Sequence, residues 1–133
     1  MQIAEKIILC THGYFSEKLK ESAEMIAGPM DDVTTFCLLP GMEPDDLKGQ
    51  IEPLLASCSA AVALVDIAGG TPLNVMARLS AQYPVTVVTG VNLPMLIEAS
   101  ESRTDMDYQE LGTHLVSMLP STGRVIQMKG AEK

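Results

Sequence analysis

Tryptophan is absent from this 133-residue chain, and aromatic residues of any kind make up only 4% of it. A core built without them must be filled by aliphatic and methionine side chains. At 47% hydrophobic residues, the chain has enough of these to need no metal or disulfide staple, and its length suits one domain, residues 1–133. Basic residues are also scarce: nine Lys and Arg stand against seventeen Asp and Glu, a net charge of −8. That balance argues against nucleic acid and anionic membranes, both of which call for clustered cations. The three cysteines, Cys10, Cys37 and Cys58, form no CxxC pair. An odd count with no signal sequence favours a reducing cytoplasm. Apolar runs such as 60–65 fall far short of a bilayer span, so a soluble protein is expected. With His12 and His114 the only histidines, the three or four ligands of a zinc site are not assembled, and neither metal nor cofactor is expected. There is no GxGxxG and no P-loop, so nucleotide binding is poorly supported.

What is present is a regular alternation of strand-like and helix-like segments, with no repeat, linker or low-complexity tract. The pattern predicts a strand within 3–11, a helix over 14–27 closed by Gly28-Pro29, and a strand over 33–39 stopped by Pro40-Gly41. A helix over 44–58 follows, opened by Pro44, then a near-continuous apolar strand over 60–67 of the kind covered on both faces. Thr71 as N-cap and Pro72 as first residue open a helix to about Gln82. A strand over 85–89, a helix over 93–100 capped by Asn92, a helix over 107–119 and a short strand over 124–128 complete the chain. This is the signature of an α/β fold, a doubly wound and mostly parallel sheet. The common strand order 2-1-3-4 sets the first and third strands side by side, with a ligand site expected at their carboxyl ends.

That topology brings together residues far apart in sequence. His12 closes the first strand, and imidazole is readily poised for proton or phosphoryl chemistry near neutral pH. Asp66 ends the third strand and can accept a hydrogen bond from one ring nitrogen, which fixes a tautomer and offsets positive charge on the ring. Gly69, Gly70 and Thr71 lead into a helix N-terminus, whose N–H groups, with the Thr71 hydroxyl, form an anion cradle. Alone, His12 reads as a loop histidine, Asp66 as a strand-end aspartate and Gly-Gly-Thr-Pro as a capped turn. Their joint placement at one sheet edge suggests phosphoryl acceptance by His12.

With these residues in view, the chain resembles a mannose-family enzyme IIA of the bacterial phosphoenolpyruvate-dependent sugar phosphotransferase system. The resemblance rests on Thr11-His12-Gly13, Ala23-Glu24-Met25-Ile26-Ala27-Gly28, Leu39-Pro40-Gly41, Val65-Asp66, Gly69-Gly70-Thr71-Pro72-Leu73-Asn74 and Gly90-Val91-Asn92-Leu93-Pro94-Met95-Leu96. It implies that His12 takes a phosphoryl group from the phosphocarrier HPr and passes it to an enzyme IIB, which serves the membrane components IIC and IID. It also implies that Asp66 is the carboxylate partner of His12, and that Thr71 helps receive the phosphate. Ala68 stands where many relatives carry an aromatic residue, which bears on the rim of the site and on partner preference. No IIB segment follows in the sequence, and a free-standing polypeptide is expected.

Rival readings are weaker. A receiver-like regulatory domain phosphorylated on Asp66 would need an acidic pair at the end of the first strand to hold Mg²⁺, where this chain has Cys10-Thr11-His12. A metal hydrolase lacks ligands, since His114 falls within the last long helix, on its surface. A non-catalytic interaction module would not need His12, Asp66 and Gly-Gly-Thr-Pro intact. The strand over 124–128 would leave an exposed apolar edge, a pairing liability. Relatives exchange a corresponding strand across a dimer, so the resemblance implies a homodimer.

Overall fold

A computed structural model describes residues 1–131 of the chain. Four parallel strands, β1 (Lys6–His12), β2 (Val33–Leu38), β3 (Ala61–Val65) and β4 (Val85–Thr89), form one sheet in the order β2-β1-β3-β4. The register sets Cys10 against both Phe36 and Val65, and His12 against Leu38. Helices cover both faces: α1 (Phe15–Ala27), α2 (Pro44–Ser57), α3 (Thr71–Ser80), α4 (Leu93–Ser102) and α5 (Tyr108–Ser117). Because side chains alternate along a strand, each strand supplies two cores. Ile7, Leu9, Val62, Leu64 and Val88 pack with Leu19 and Ala23 of α1 and with residues of α4 and α5. Ile8, Cys10, Ala61, Ala63 and Val65 pack with Leu47, Ile51 and Leu55 of α2 and with Val75, Met76 and Leu79 of α3. All five residues of β3 are buried, as a central strand with two covered faces requires.

Local chemistry fixes the helix boundaries. In α2, Glu43 at the N-cap and Asp46 close a capping box, and Pro44 occupies the first turn. Asn92 caps α4 by accepting from the Met95 amide, and Asp107 caps α5 by accepting from the Gln109 amide. Ile26, at helical spacing with Leu19 and Ala23, is exposed near the end of α1. Gly112 of α5 lies so close to β4 that a Cβ there would run into Thr86 Cγ2. No helix among the described residues is long and apolar enough to cross a membrane.

Two expectations are corrected. The segment 124–128 is not a strand: 124–127 are irregular and exposed, and Met128 opens a helical turn, Met128–Ala131. A strand exists only with a ladder partner, and β4, the edge strand on that side, pairs with β3 alone. At α3, the N-cap is Gly70 rather than Thr71. The Gly70 carbonyl accepts the first helical bond, from Asn74 N at 3.0 Å, so Thr71 is already the first helical residue.

Candidate active site

The carboxyl ends of β1 and β3 place His12 and Asp66 together, 54 residues apart in sequence. Nδ1 of His12 lies 2.8 Å from Oδ2 of Asp66. The His12 backbone N–H donates to that same oxygen at 2.9 Å, and the Ile67 N–H donates to Oδ1 at 3.0 Å. The His12 side chain keeps 46% of its surface exposed, whereas Asp66 keeps 13%. One carboxylate, largely buried, therefore orients an exposed ring and holds its backbone as well.

Electrostatics follow from that arrangement. Partial burial pushes the Asp66 carboxyl upward, but the His12 amide, the His12 ring and the Ile67 amide outweigh it and hold the group below the usual carboxylate range. Asp66 is thus ionised at neutral pH, and an ionised acceptor on Nδ1 selects the tautomer with its hydrogen there. The lone pair then sits on Nε2. Cys10, two residues from His12, is no rival nucleophile, because burial pushes its thiol up to about 12.

The glycine turn lies beside Nε2. A Cβ at Gly70 would stand 3.2 Å from His12 Cε1 and 3.3 Å from Nε2. Gly70 has φ +86°, a region essentially reserved for glycine. The same residue thus meets two demands, the backbone conformation that starts α3 and a close approach to the ring. Gly69 shares the positive φ, at +103°, but faces open space. With Gly70 as N-cap, the half-buried Thr71 does not cap its own helix. On the other side of His12 a cavity of about 410 Å³ is lined by His12, Gly13, Leu38, Leu39, Pro40 and Met42. Tyr14, Phe15 and Ile67, neighbours of His12 and Asp66 in sequence, are large and exposed.

From sequence, Thr11 and Leu39-Pro40-Gly41 carry part of the resemblance but neither is given a role in the site, and Ser16 is passed over. Thr11 Oγ1 accepts from the Ser16 N–H at 2.8 Å across the turn that carries His12. A threonine before a histidine carries no spacing signal for such a bond. His114 lies apart from this edge, within α5, where Nε2 meets Oε2 of Glu98 on α4 at 2.6 Å. That contact holds Glu98 below the usual carboxylate range and crosslinks two helices.

Comparison with known proteins agrees with this architecture. The family model EIIA-man, described as the PTS system fructose IIA component, matches residues 6–116. The mannose-specific EIIAB component of Escherichia coli K12 is 32% identical over 123 residues, covering 89% of this chain and 37% of that protein. The chain thus spans little more than a third of that relative. The sorbose-specific EIIA component of Lacticaseibacillus casei is 30% identical over 118 residues, covering 85% of this chain and 84% of the relative. The crystal structure of an EIIA component from Streptococcus agalactiae superposes with a TM-score of 0.85 at 29% identity, covering 94% of this chain and 98% of that one. A model match across most of the chain, on this sheet order, shows that the chain belongs to the EIIA-man family, the IIA components of the phosphotransferase system.

Proposed function

We propose that the single domain of residues 1–133 accepts a phosphoryl group on Nε2 of His12 from HPr and passes it to an enzyme IIB, in the service of sugar uptake through membrane IIC and IID components. The observation that carries this reading is the double hold of Asp66 on His12, at 2.8 Å to Nδ1 and 2.9 Å to the backbone N–H. It leaves Nε2 as the only ring nitrogen able to attack. In the transfer, the phosphorus–nitrogen bond of the donor histidine breaks as the bond to Nε2 forms. The electron pair of the broken bond returns to the donor ring, and the hydrogen on Nδ1 stays with His12. The ring gains positive charge, which Asp66 offsets. Gly69, Gly70 and Thr71 receive the phosphoryl oxygens through backbone N–H groups and a hydroxyl. A ring so held is already aimed for in-line attack.

The exposed Tyr14, Phe15 and Ile67 around His12 favour a protein donor over a small molecule. Ala68 is likewise exposed on this rim and bears on which partner is preferred. We place the protein in the cytoplasm as a homodimer. The free edge of β4 borders a cavity of about 480 Å³ lined by Thr86, Val87, Val88, Gly112 and Val116. Val125 and Ile126 are 83% and 68% exposed, apolar and without a sheet partner in their own chain. Exchange of that segment between two copies would give it the ladder it lacks.

The test is covalent labelling. With phosphoenolpyruvate, enzyme I and HPr, one acid-labile phosphoryl group should appear, on His12. His12→Ala should abolish it and His114→Ala should not. Label that survives His12→Ala, or that is stable in acid and released by hydroxylamine as an aspartyl phosphate on Asp66 would be, refutes the reading.

A further inference from the structure

We infer that Thr11 is a positioning residue for the phosphoryl acceptor: its hydroxyl, from the end of β1, caps α1 and so closes the turn that presents His12. Three observations carry this. Tyr14, at the N-cap position of α1, makes no side-chain cap. The amide it would ordinarily serve, Ser16 N–H, the second of the helix, donates instead to Thr11 Oγ1 at 2.8 Å. Thr11 and Ser16 are also the buried polar side chains among the described residues, each with no exposed surface. Buried polar groups in such a place need partners. The Ser16 hydroxyl has one as well, donating to the Phe36 carbonyl at 3.1 Å, with Cys37 Sγ 3.3 Å away.

The bond from residue 16 to residue 11 spans His12, Gly13, Tyr14 and Phe15. Gly13, at φ +59°, turns the chain there, and its N–H donates to the Leu38 carbonyl at 2.8 Å. The turn is therefore pinned on three sides. Asp66 holds the ring and amide of His12, Leu38 holds Gly13, and Thr11 holds the start of α1. Remove the Thr11 oxygen and α1 begins with an unanswered buried N–H. The helix start and turn then shift to reach water, and His12 moves relative to Asp66. Small displacements of a nucleophile of this kind slow a reaction without changing how the substrate docks.

This inference rests on His12 being the phosphoryl acceptor, and its test separates the two. Thr11→Val removes the acceptor oxygen at nearly constant volume, and Thr11→Ser restores it. Single-turnover transfer from phosphorylated HPr at saturating donor should fall about tenfold or more in Thr11→Val. The donor concentration for half-saturation should stay unchanged. The ¹⁵N shifts of the His12 ring should move from a single Nδ1–H tautomer toward a mixture, and Thr11→Ser should recover both rate and shifts. A folded Thr11→Val with parental rate and shifts overturns the inference, even where its stability is reduced, because that would be a structural role only. Should Thr11→Val not fold, amide exchange in the parent decides. Ser16 N–H as protected as the following helical amides supports the cap, and exchange at the rate of an open chain overturns it. A parent never labelled on His12 defeats the acceptor reading, while the ring shifts and Ser16 exchange still judge the role of Thr11.

Discussion

Replacing Asp66 by Asn is the sharpest probe of the site, because it keeps shape and removes one acceptor and the charge. The carboxylate answers three donors: the His12 amide at 2.9 Å, His12 Nδ1 at 2.8 Å and the Ile67 amide at 3.0 Å. An asparagine has one carbonyl oxygen, so whichever way its amide turns, an N–H faces an N–H. In the proposed transfer the bond to the ring matters most, since the ring would become cationic as Nε2 took the phosphoryl group. A hydrogen bond to a charged group contributes about 1.5–3 kcal/mol. At 1.36 kcal/mol per factor of ten, its loss alone slows transfer roughly 10- to 160-fold. Loss of the tautomer adds to this, because a hydrogen on Nε2 blocks the attacking atom. The expected result for Asp66→Asn, and for Asp66→Ala, is a reduction of about 10²-fold or more in rapid-quench transfer from labelled HPr. Both variants should remain folded, with a loss of about 1–3 kcal/mol in urea denaturation, since the freed amides lie where water can reach them. Transfer at the parental rate, or phosphorus found on Nδ1 by NMR, would refute the reasoning.

Four further outcomes are expected. Burial raises the Asp66 pKa but the His12 and Ile67 donors outweigh it, so the native value lies below the ordinary 3.8. A lowered pKa adds stability that is complete above the unfolded-state value and lost as pH falls through the native one. The gap in urea stability between parent and Asp66→Asn should therefore hold from neutral pH down to about 5 and close in stronger acid; a gap that widens in acid contradicts this. Gly70→Ala should slow transfer more than Gly69→Ala at a similar strain of about 1–3 kcal/mol, because only the Gly70 methyl would lie 3.2–3.3 Å from the His12 ring; equal rates in the two variants would refute the close approach. Gly112→Ala should destabilise by about 1–3 kcal/mol, since its methyl would run into Thr86 Cγ2, and Thr86→Ser should rescue it in a double-mutant cycle. Ile126→Asp should shift sedimentation at micromolar concentration from dimer to monomer, and a parent that is already monomeric would exclude exchange of the tail.

Non-local geometry was legible where the apolar pattern was strong. The buried run of β3 and the alternation of strand and helix point to a parallel sheet, and β4 falls where its residues suggest, Val85–Thr89. The switch-point rule then brings His12 and Asp66 together without any contact being visible in the sequence. Side-chain chemistry that crosses a turn was not legible. Thr11 capping α1 in place of Tyr14 depends on where the turn directs an amide, which no spacing encodes. The cap of α3 was misread for a related reason: Thr-Pro resembles a cap and first residue, but the φ of +86° at Gly70 moves the helix start one residue back. The Arg124–Met128 segment shows the limit of β propensity, which describes fitness for a pleated surface rather than the presence of one. Its residues suit a strand, but the single chain gives them no neighbour.

As the proposed acceptor from one protein and donor to another, His12 would have to satisfy two opposed demands. It must project far enough for two different proteins to reach it, yet be held firmly enough for in-line attack. The burial profile of β1 shows how the fold meets both. Thr11 has no exposed surface, and His12, one residue later, has an exposed ring. The step occurs within a ladder, because His12 still pairs with Leu38 at the last register position of β1. Rigidity therefore reaches the histidine through its backbone rather than through packing around its ring. Asp66 extends that hold to the ring itself, since a single oxygen accepts from both the amide and Nδ1 of the same residue. Any rotation of the imidazole about its bond to the backbone breaks one contact while the other stays in place. The ring is thus restrained against a fixed reference, and the face carrying Nε2 needs no protein wall. That leaves the approach open between the glycine turn at Gly70 and the cavity at Leu39 and Met42. A buried histidine could be held by packing alone, but it would be closed to a protein donor. An exposed one without Asp66 would be open and misaimed.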